Sequence, residues 1–217
     1  MVLINNDMYE ETLKILRGET KLAPVFSELK DWLKGRFGVT ACNFAFGESK
    51  GFFNPERRFR LDIVLFSKKD YHSMFDGMRY DDEKRAEISQ KFHELAQKFG
   101  LENKEKAGDA DVNYYDLSME INTQVESFTY WAIANPLKNQ YKEHGVWDII
   151  PTARGIVVFY NKDEDKGKNS RNGISDRIRN DYLAELRKRD EFGTINEDAF
   201  DIRFESRETL DKALRAE

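Results

Sequence analysis

Phe59-Arg60-Leu61-Asp62-Ile63-Val64-Leu65-Phe66 changes character along its length. Phe59, Leu61, Ile63 and Leu65 share one face at the strand period of two, and Arg60 and Asp62 begin the other face. At Val64 and Phe66 the second face turns apolar as well. The end of the stretch therefore predicts a central strand covered on both sides. Just upstream, Val39 to Phe46 reads as its hairpin partner, with Cys42, Phe44 and Phe46 on one face. A long loop, Gly47 to Arg58, joins the two.

The same signature returns later. Ile156-Val157-Val158-Phe159 echoes Ile63-Val64-Leu65-Phe66 at an offset of 93 residues. Lys69-Asp70 and Lys162-Asp163 keep that offset, as do Phe99-Gly100 and Phe192-Gly193. Each copy reads strand, polar loop, helix, strand, helix. Between these anchors the helical stripes drift out of phase. The echo therefore leaves two readings open: pseudo-duplicated strand–helix–strand halves, or the generic likeness of any two such stretches.

Helices fill the remainder. Met8, Leu13 and Leu16 form a short amphipathic stripe with Asp7 as cap and Gly18 as stop. A second helix starts near Pro24 and carries Val25, Leu29, Trp32 and Leu33. Ile88, Phe92, Leu95 and Phe99 make the clearest stripe, between a cap at Asp81 or Asp82 and a stop at Gly100. Val112–Ile121 alternates like a strand, with Tyr115, Leu117, Met119 and Ile121 against Tyr114, Asp116, Ser118 and Glu120. Phe128 and Trp131 mark a helix that Asn135-Pro136 must end or kink. Gly155–Tyr160 is a strand, and a polar loop of about a dozen residues follows it. A helix then carries Ile174, Ile178, Tyr182 and Leu186. Phe200, Ile202 and Phe204 form a last strand, and Ser206 caps a final helix. The expectation is an α+β fold: one mixed sheet of about five strands covered by helices, in a single globular domain over residues 1–217.

Composition narrows the function classes. The chain has 217 residues, 35 Lys and Arg against 40 Asp and Glu, and a net charge of −5. That charge provides no global basic footprint for nucleic acid. One Cys excludes a disulfide scaffold and a thiolate zinc cluster, and fits a reducing cytoplasm. No stretch approaches the length of apolar chain that a membrane span needs. Cys42 reads as a buried, inert thiol.

Four constellations carry chemistry. Gly47-Glu48-Ser49 closes a strand that follows a helix, Asp62 lies in the next strand, and Asp116 in a third. This order resembles the nucleotidyltransferase core. The resemblance covers roughly residues 24–121. It implies Ser49, Asp62 and Asp116 as catalytic groups, with Asp62 and Asp116 holding Mg²⁺ against a nucleoside triphosphate. The chain departs from that pattern at Val64, where the family's second carboxylate would stand. The second constellation is a basic and aromatic loop, Lys50, Phe52, Phe53, Arg57, Arg58 and Arg60, suited to gripping phosphates while rings stack on bases. The third is Asp116, Ser118 and Glu120 on one strand face. The fourth is Asn161, Asp163, Asp165, Gly167 and Asn169. Its spacing falls short of a calcium loop, because Lys166 and Asn172 occupy two required positions.

The leading expectation is a cytoplasmic, non-catalytic protein that binds a macromolecular partner, most simply another protein, through the loops Lys50–Arg60 and Asn161–Asn172. It requires no cofactor, no metal and no membrane. Two alternatives stay open: a degenerate, Mg²⁺-dependent nucleotidyltransferase, and an RNA or single-strand binder working through residues 50–60.

Overall fold

The computed structural model describes residues 4–50, 57–152, 155–194 and 200–215. Contacts divide the chain into two compact units, Met1–Glu120 and Ile121–Glu217.

The first unit opens with α1 (Asn6–Leu16) and α2 (Pro24–Phe37). The hairpin β1 (Ala41–Lys50) and β2 (Arg57–Leu65) follows. Next come α3 (Lys68–Ser73), the two-residue strands β3 (Phe75–Asp76) and β4 (Arg79–Tyr80), and α4 (Asp82–Phe99). Strand β5 (Asp111–Asp116) runs into α5 (Leu117–Thr129). Asp81 caps α4 through Lys84 N–H, and Gly100 ends it in the left-handed conformation, as the sequence predicts. Asn5, not Asp7, caps α1, because its side chain accepts from Met8 N–H at 2.8 Å. Leu29, Leu33, Leu61, Ile63, Ile88 and Phe92 form the core of this unit.

The second unit contains α6 (Asn135–Gln140), β6 (Val146–Thr152), β7 (Gly155–Tyr160), α7 (Asp163–Arg171), α8 (Ile174–Arg187), β8 (Asp201–Ser206) and α9 (Arg207–Leu214). A π-helical turn at Tyr130–Ala134 precedes α6, and Pro136 sits in the first turn of the new helix. Ile149, Ile156, Val158, Tyr160, Ile178 and Tyr182 form its core. Gly155 allows β7 to meet β8: a Cβ there would lie 1.8 Å from the Asp201 carbonyl oxygen.

The fold is α+β, but the expected single sheet of about five strands is not formed. The strands fall into two three-stranded sheets, β1-β2-β5 and β6-β7-β8, plus the β3-β4 hairpin. Each three-stranded sheet closes over its own core. The strands missing from the sequence reading are β6 and the two-residue β3 and β4. Three further expectations change. Val112–Ile121 does not stay a strand, because the Asp116 carboxylate accepts from Met119 N–H at 3.2 Å and starts a helix there. Asp116, Ser118 and Glu120 therefore do not share a strand face. The polar loop after Tyr160 is α7. Asp163, Glu164 and Asp165 in its first turn and Lys168 and Arg171 in its last complement the helix dipole. Cys42 is buried, but it is the extra residue of a β-bulge between Ala41 and Asn43 and not a regular neighbour of Phe44.

The two sheets repeat one another in detail. In each, a hairpin is antiparallel and the third strand runs parallel to its second strand. Each has one bulge at the same rung: Ala41 and Asn43 face Leu65 and Val64, while Val146 and Asp148 face Tyr160 and Phe159. At each bulge a side-chain oxygen accepts the next backbone N–H, Phe44 N to Asn43 Oδ1 at 2.8 Å and Ile149 N to Asp148 Oδ1 at 3.0 Å. The parallel strands end on Asp116 and Ser206, opposite Leu65 and Tyr160, and both end residues cap the helix that follows. Two residues further on, Ser118 and Glu208 accept the first N–H of α3 and α7, from Lys68 at 3.1 Å and Asp163 at 3.0 Å. This register places Ile63 with Val158, two positions beyond the sequence echo and on the same face.

Candidate functional site

Alternation puts Leu61, Ile63 and Leu65 of β2 into the core of the first unit, so Arg60, Asp62 and Val64 line the sheet's outer face. The parallel register sets Asp62 beside Asn113 and Val64 beside Tyr115. A polar cluster results. Arg60 Nη2 donates to Asp62 Oδ2 at 2.8 Å, and its Nε lies 2.7 Å from Oδ1. Tyr115 Oη donates to Asp62 Oδ1 at 3.3 Å, and the Asn113 side chain adds a further bond. Burial pushes the Asp62 carboxyl above its ordinary range, against the opposing pull of Arg60. Burial and the Asp62 charge push the Tyr115 phenol up to about 12.

Asp116 belongs to the other side. Its rung partner is Leu65, so it shares the face of Tyr114 and the core. With three residues of strand rise and one strand spacing between them, the Cα atoms of Asp62 and Asp116 are about 11 Å apart. One oxygen of Asp116 takes Ser118 Oγ at 2.6 Å together with Met119 N–H. Gly47 and Ser49 lie within β1, opposite Arg60 and Arg58. Ser49 is four residues beyond Ala45, the rung opposite Asp62, which amounts to roughly 13 Å along the strand. Ser49, Asp62 and Asp116 are thus not brought to one point. Among the described residues, no group of three or more His, Cys, Asp or Glu is placed to hold a metal ion.

The basic loop is only partly described. Phe52 and Phe53 lie outside the described residues. Lys50 and Arg57 form the last backbone rung of the hairpin. Arg58 is exposed, with Nη1 3.9 Å from Asp111 Oδ2. Arg60 turns to Asp62.

Several residues at these faces escaped the sequence reading. Tyr114 and Tyr115 exchange the faces expected of them: Tyr114 packs in the core and Tyr115 meets Asp62, and both are buried. Among the described residues the buried Tyr114 hydroxyl has no hydrogen-bond partner, and burial pushes its pKa up. In the second unit the bulge residue Trp147 stacks edge-on with Phe159 at 6.0 Å, and Arg207 lies 4.9 Å over its ring. A period that breaks at a bulge hides such a residue. Burial also pushes the Cys42 thiol up to about 12, which suits the inert role expected of it.

No protein family, curated protein or solved structure matches the chain. Among the described residues, no helix is long and apolar enough to cross a membrane.

Proposed function

We propose that this chain is a tandem of two units built by duplication of one strand–strand–helix–strand–helix design, and that it works as a non-catalytic binding protein for a protein partner. The observation that carries the second part is the fate of the two carboxylates nominated for catalysis. Asp62 is engaged by Arg60, Tyr115 and Asn113 on one face of the sheet. Asp116 caps α5 on the other. A carboxylate bound into the fold in this way is held away from substrate or metal, and two-metal chemistry needs its ions about 4 Å apart. The tandem design is supported by the shared bulge, the shared caps and the shared acceptance of the first N–H of α3 and α7.

The test is direct. The full chain is incubated with nucleoside triphosphates and Mg²⁺ or Mn²⁺. No turnover above the protein-free blank is expected. Turnover that disappears in Asp62→Ala would overturn the reading in favour of a nucleotidyltransferase. Binding of single-stranded RNA that weakens steeply with salt, and is lost on replacing Arg57 and Arg58 by Ala, would replace the protein partner by nucleic acid.

A further inference from the structure

Helices α7 and α8 meet at Asn172 and Gly173, the only Asn-Gly pair in the sequence. The corner is anchored on both flanks. On the α7 side the Asn169 amide, 2% exposed, donates to the His144 carbonyl at 2.6 Å. On the α8 side the buried hydroxyls of Ser175 and Tyr160 meet at 2.9 Å. Between these anchors Asn172 is exposed. Gly173 takes a φ of 80°, and among the described residues nothing lies within 4 Å of where its Cβ would stand. Asn172 Oδ1 accepts from Ile174 N–H at 3.2 Å, so an exposed side chain serves the first amide of α8.

We propose that Asn172 is a site of spontaneous covalent modification, deamidation to aspartate and isoaspartate, gated by opening of this corner. The reaction needs only water. Gly173 N attacks Asn172 Cγ and forms the N–Cγ bond of a succinimide. The Cγ–Nδ2 bond breaks, and ammonia leaves with the proton from Gly173 N. Water then opens the ring. Cleavage of N–Cγ gives aspartate. Cleavage at the main-chain carbonyl carbon of Asn172 gives isoaspartate, with the chain running through Cβ and Cγ. Glycine at 173 has no Cβ to shield the attacking nitrogen, whereas every other Asn precedes a residue with a side chain.

The folded backbone supplies the gate. Ring closure requires Gly173 N to eclipse Cβ about the Asn172 Cα–C bond. At a ψ of 4° it eclipses the Asn172 nitrogen instead, which turns Cγ and the attacking nitrogen apart. Turning this bond redirects the chain into α8. The Ile174 bond to Oδ1 and the first turn of α8, Arg177 N–H to the Gly173 carbonyl at 3.1 Å, therefore have to open first. The two products differ in their effect. Aspartate keeps the acceptor for Ile174 N–H and adds negative charge at the N-terminus of α8, where it is favourable. Isoaspartate adds a methylene to the main chain between the two anchors and displaces the start of α8.

The full chain is aged in mildly alkaline buffer, with and without urea, and digested by pepsin at acid pH, which halts the reaction. Peptide mapping then separates the Asn, Asp and isoaspartyl forms. Conversion at Asn172 is expected ahead of every other asparagine in the folded chain, and faster in urea. In urea, where the fold has no part, Gly173→Asp should slow conversion at Asn172 several-fold. Earlier conversion at another asparagine, or an unchanged rate in Gly173→Asp, would overturn the site. Equal rates with and without urea would overturn the gate.

Discussion

Arg60 and Asp62 lie side by side on the outer face of the first sheet, with Asp62 almost wholly buried. At the rung of Asp62 the second sheet carries Val157, half-exposed, opposite Ile150. At this rung one unit buries charge and the other leaves carbon partly exposed, on the same strand arrangement. Burying a carboxylate is costly unless it is paired and hydrogen-bonded, and Asp62 has Arg60, Tyr115 and Asn113 to meet that cost. Bulge, caps and strand order are thus common to the two sheets, while their outer faces carry different residues.

The largest effect expected on this pair of units comes from Gly155→Ala. The new Cβ would collide with the Asp201 carbonyl, so β8 must leave β7. A loss of more than about 3 kcal/mol is expected, confined to the second unit. Hydrogen exchange should show β7, β8 and α9 opening while β1, β2 and β5 stay protected.

Next are the equivalent caps. Asp116→Ala removes a buried carboxylate that serves both Met119 N–H and Ser118 Oγ, and should cost about 2 kcal/mol in urea unfolding. Ser206→Ala removes a hydroxyl from the matching position and should cost about 1 kcal/mol. Similar signs at both positions would strengthen the equivalence of the units; a neutral Ser206→Ala would undo it.

Thr12→Val tests the buried outer face of the first sheet. It leaves the Asn43 amide without its partner and should destabilise the chain by about 1 kcal/mol, with faster exchange in α1.

The smallest effect is a divergence with pH. Hydrogen bonds from Ser206 and Thr209 hold the Asp163 carboxyl below the ordinary aspartate value of 3.8. Its contribution is present above that value and is lost as pH falls below it. The Asp62 carboxyl is raised above 3.8 by burial, so the folded first unit takes up its proton earlier, and stability is gained as pH falls through the raised value. Acidification should therefore weaken the α7–α9 region while sparing β2 and β5. Asp163→Asn and Asp62→Asn should each abolish one arm of the divergence, read by residue-resolved exchange.

Much of this fold was legible in the sequence, and the illegible parts have physical causes. The alternation of Phe59 to Leu65, the stripe positions Ile88, Phe92 and Leu95, and the cap at Ser206 read correctly, because each is a local signal, whereas Phe99 of the same stripe is 40% exposed and Asp81 is one of two caps the sequence offers for α4. Leu117 and Ile121 misled because a spacing of four fits a helix face as well as a strand face, and the cap at Asp116 decides between them. Helix α7 lacks an apolar stripe, so only its charge order could have revealed it. Strand β6 was hidden by its own bulge at Trp147 and by Pro151. The candidate site was less legible than the fold. The face of Asp62 follows from the alternation of β2, but that Asp116 takes the other depends on the parallel register of β2 with β5, and no local pattern encodes a register between strands more than forty residues apart.

Residue-resolved hydrogen exchange at four amides tests the common design most directly: Phe44 and Lys68 in the first unit, Ile149 and Asp163 in the second. Each is expected to exchange slowly, because each donates to a side chain placed by the same bulge or the same strand-to-helix junction. Protection of Phe44 and Lys68 with free exchange at Ile149 and Asp163 would contradict the tandem design, since the second unit would then lack the features that define the first.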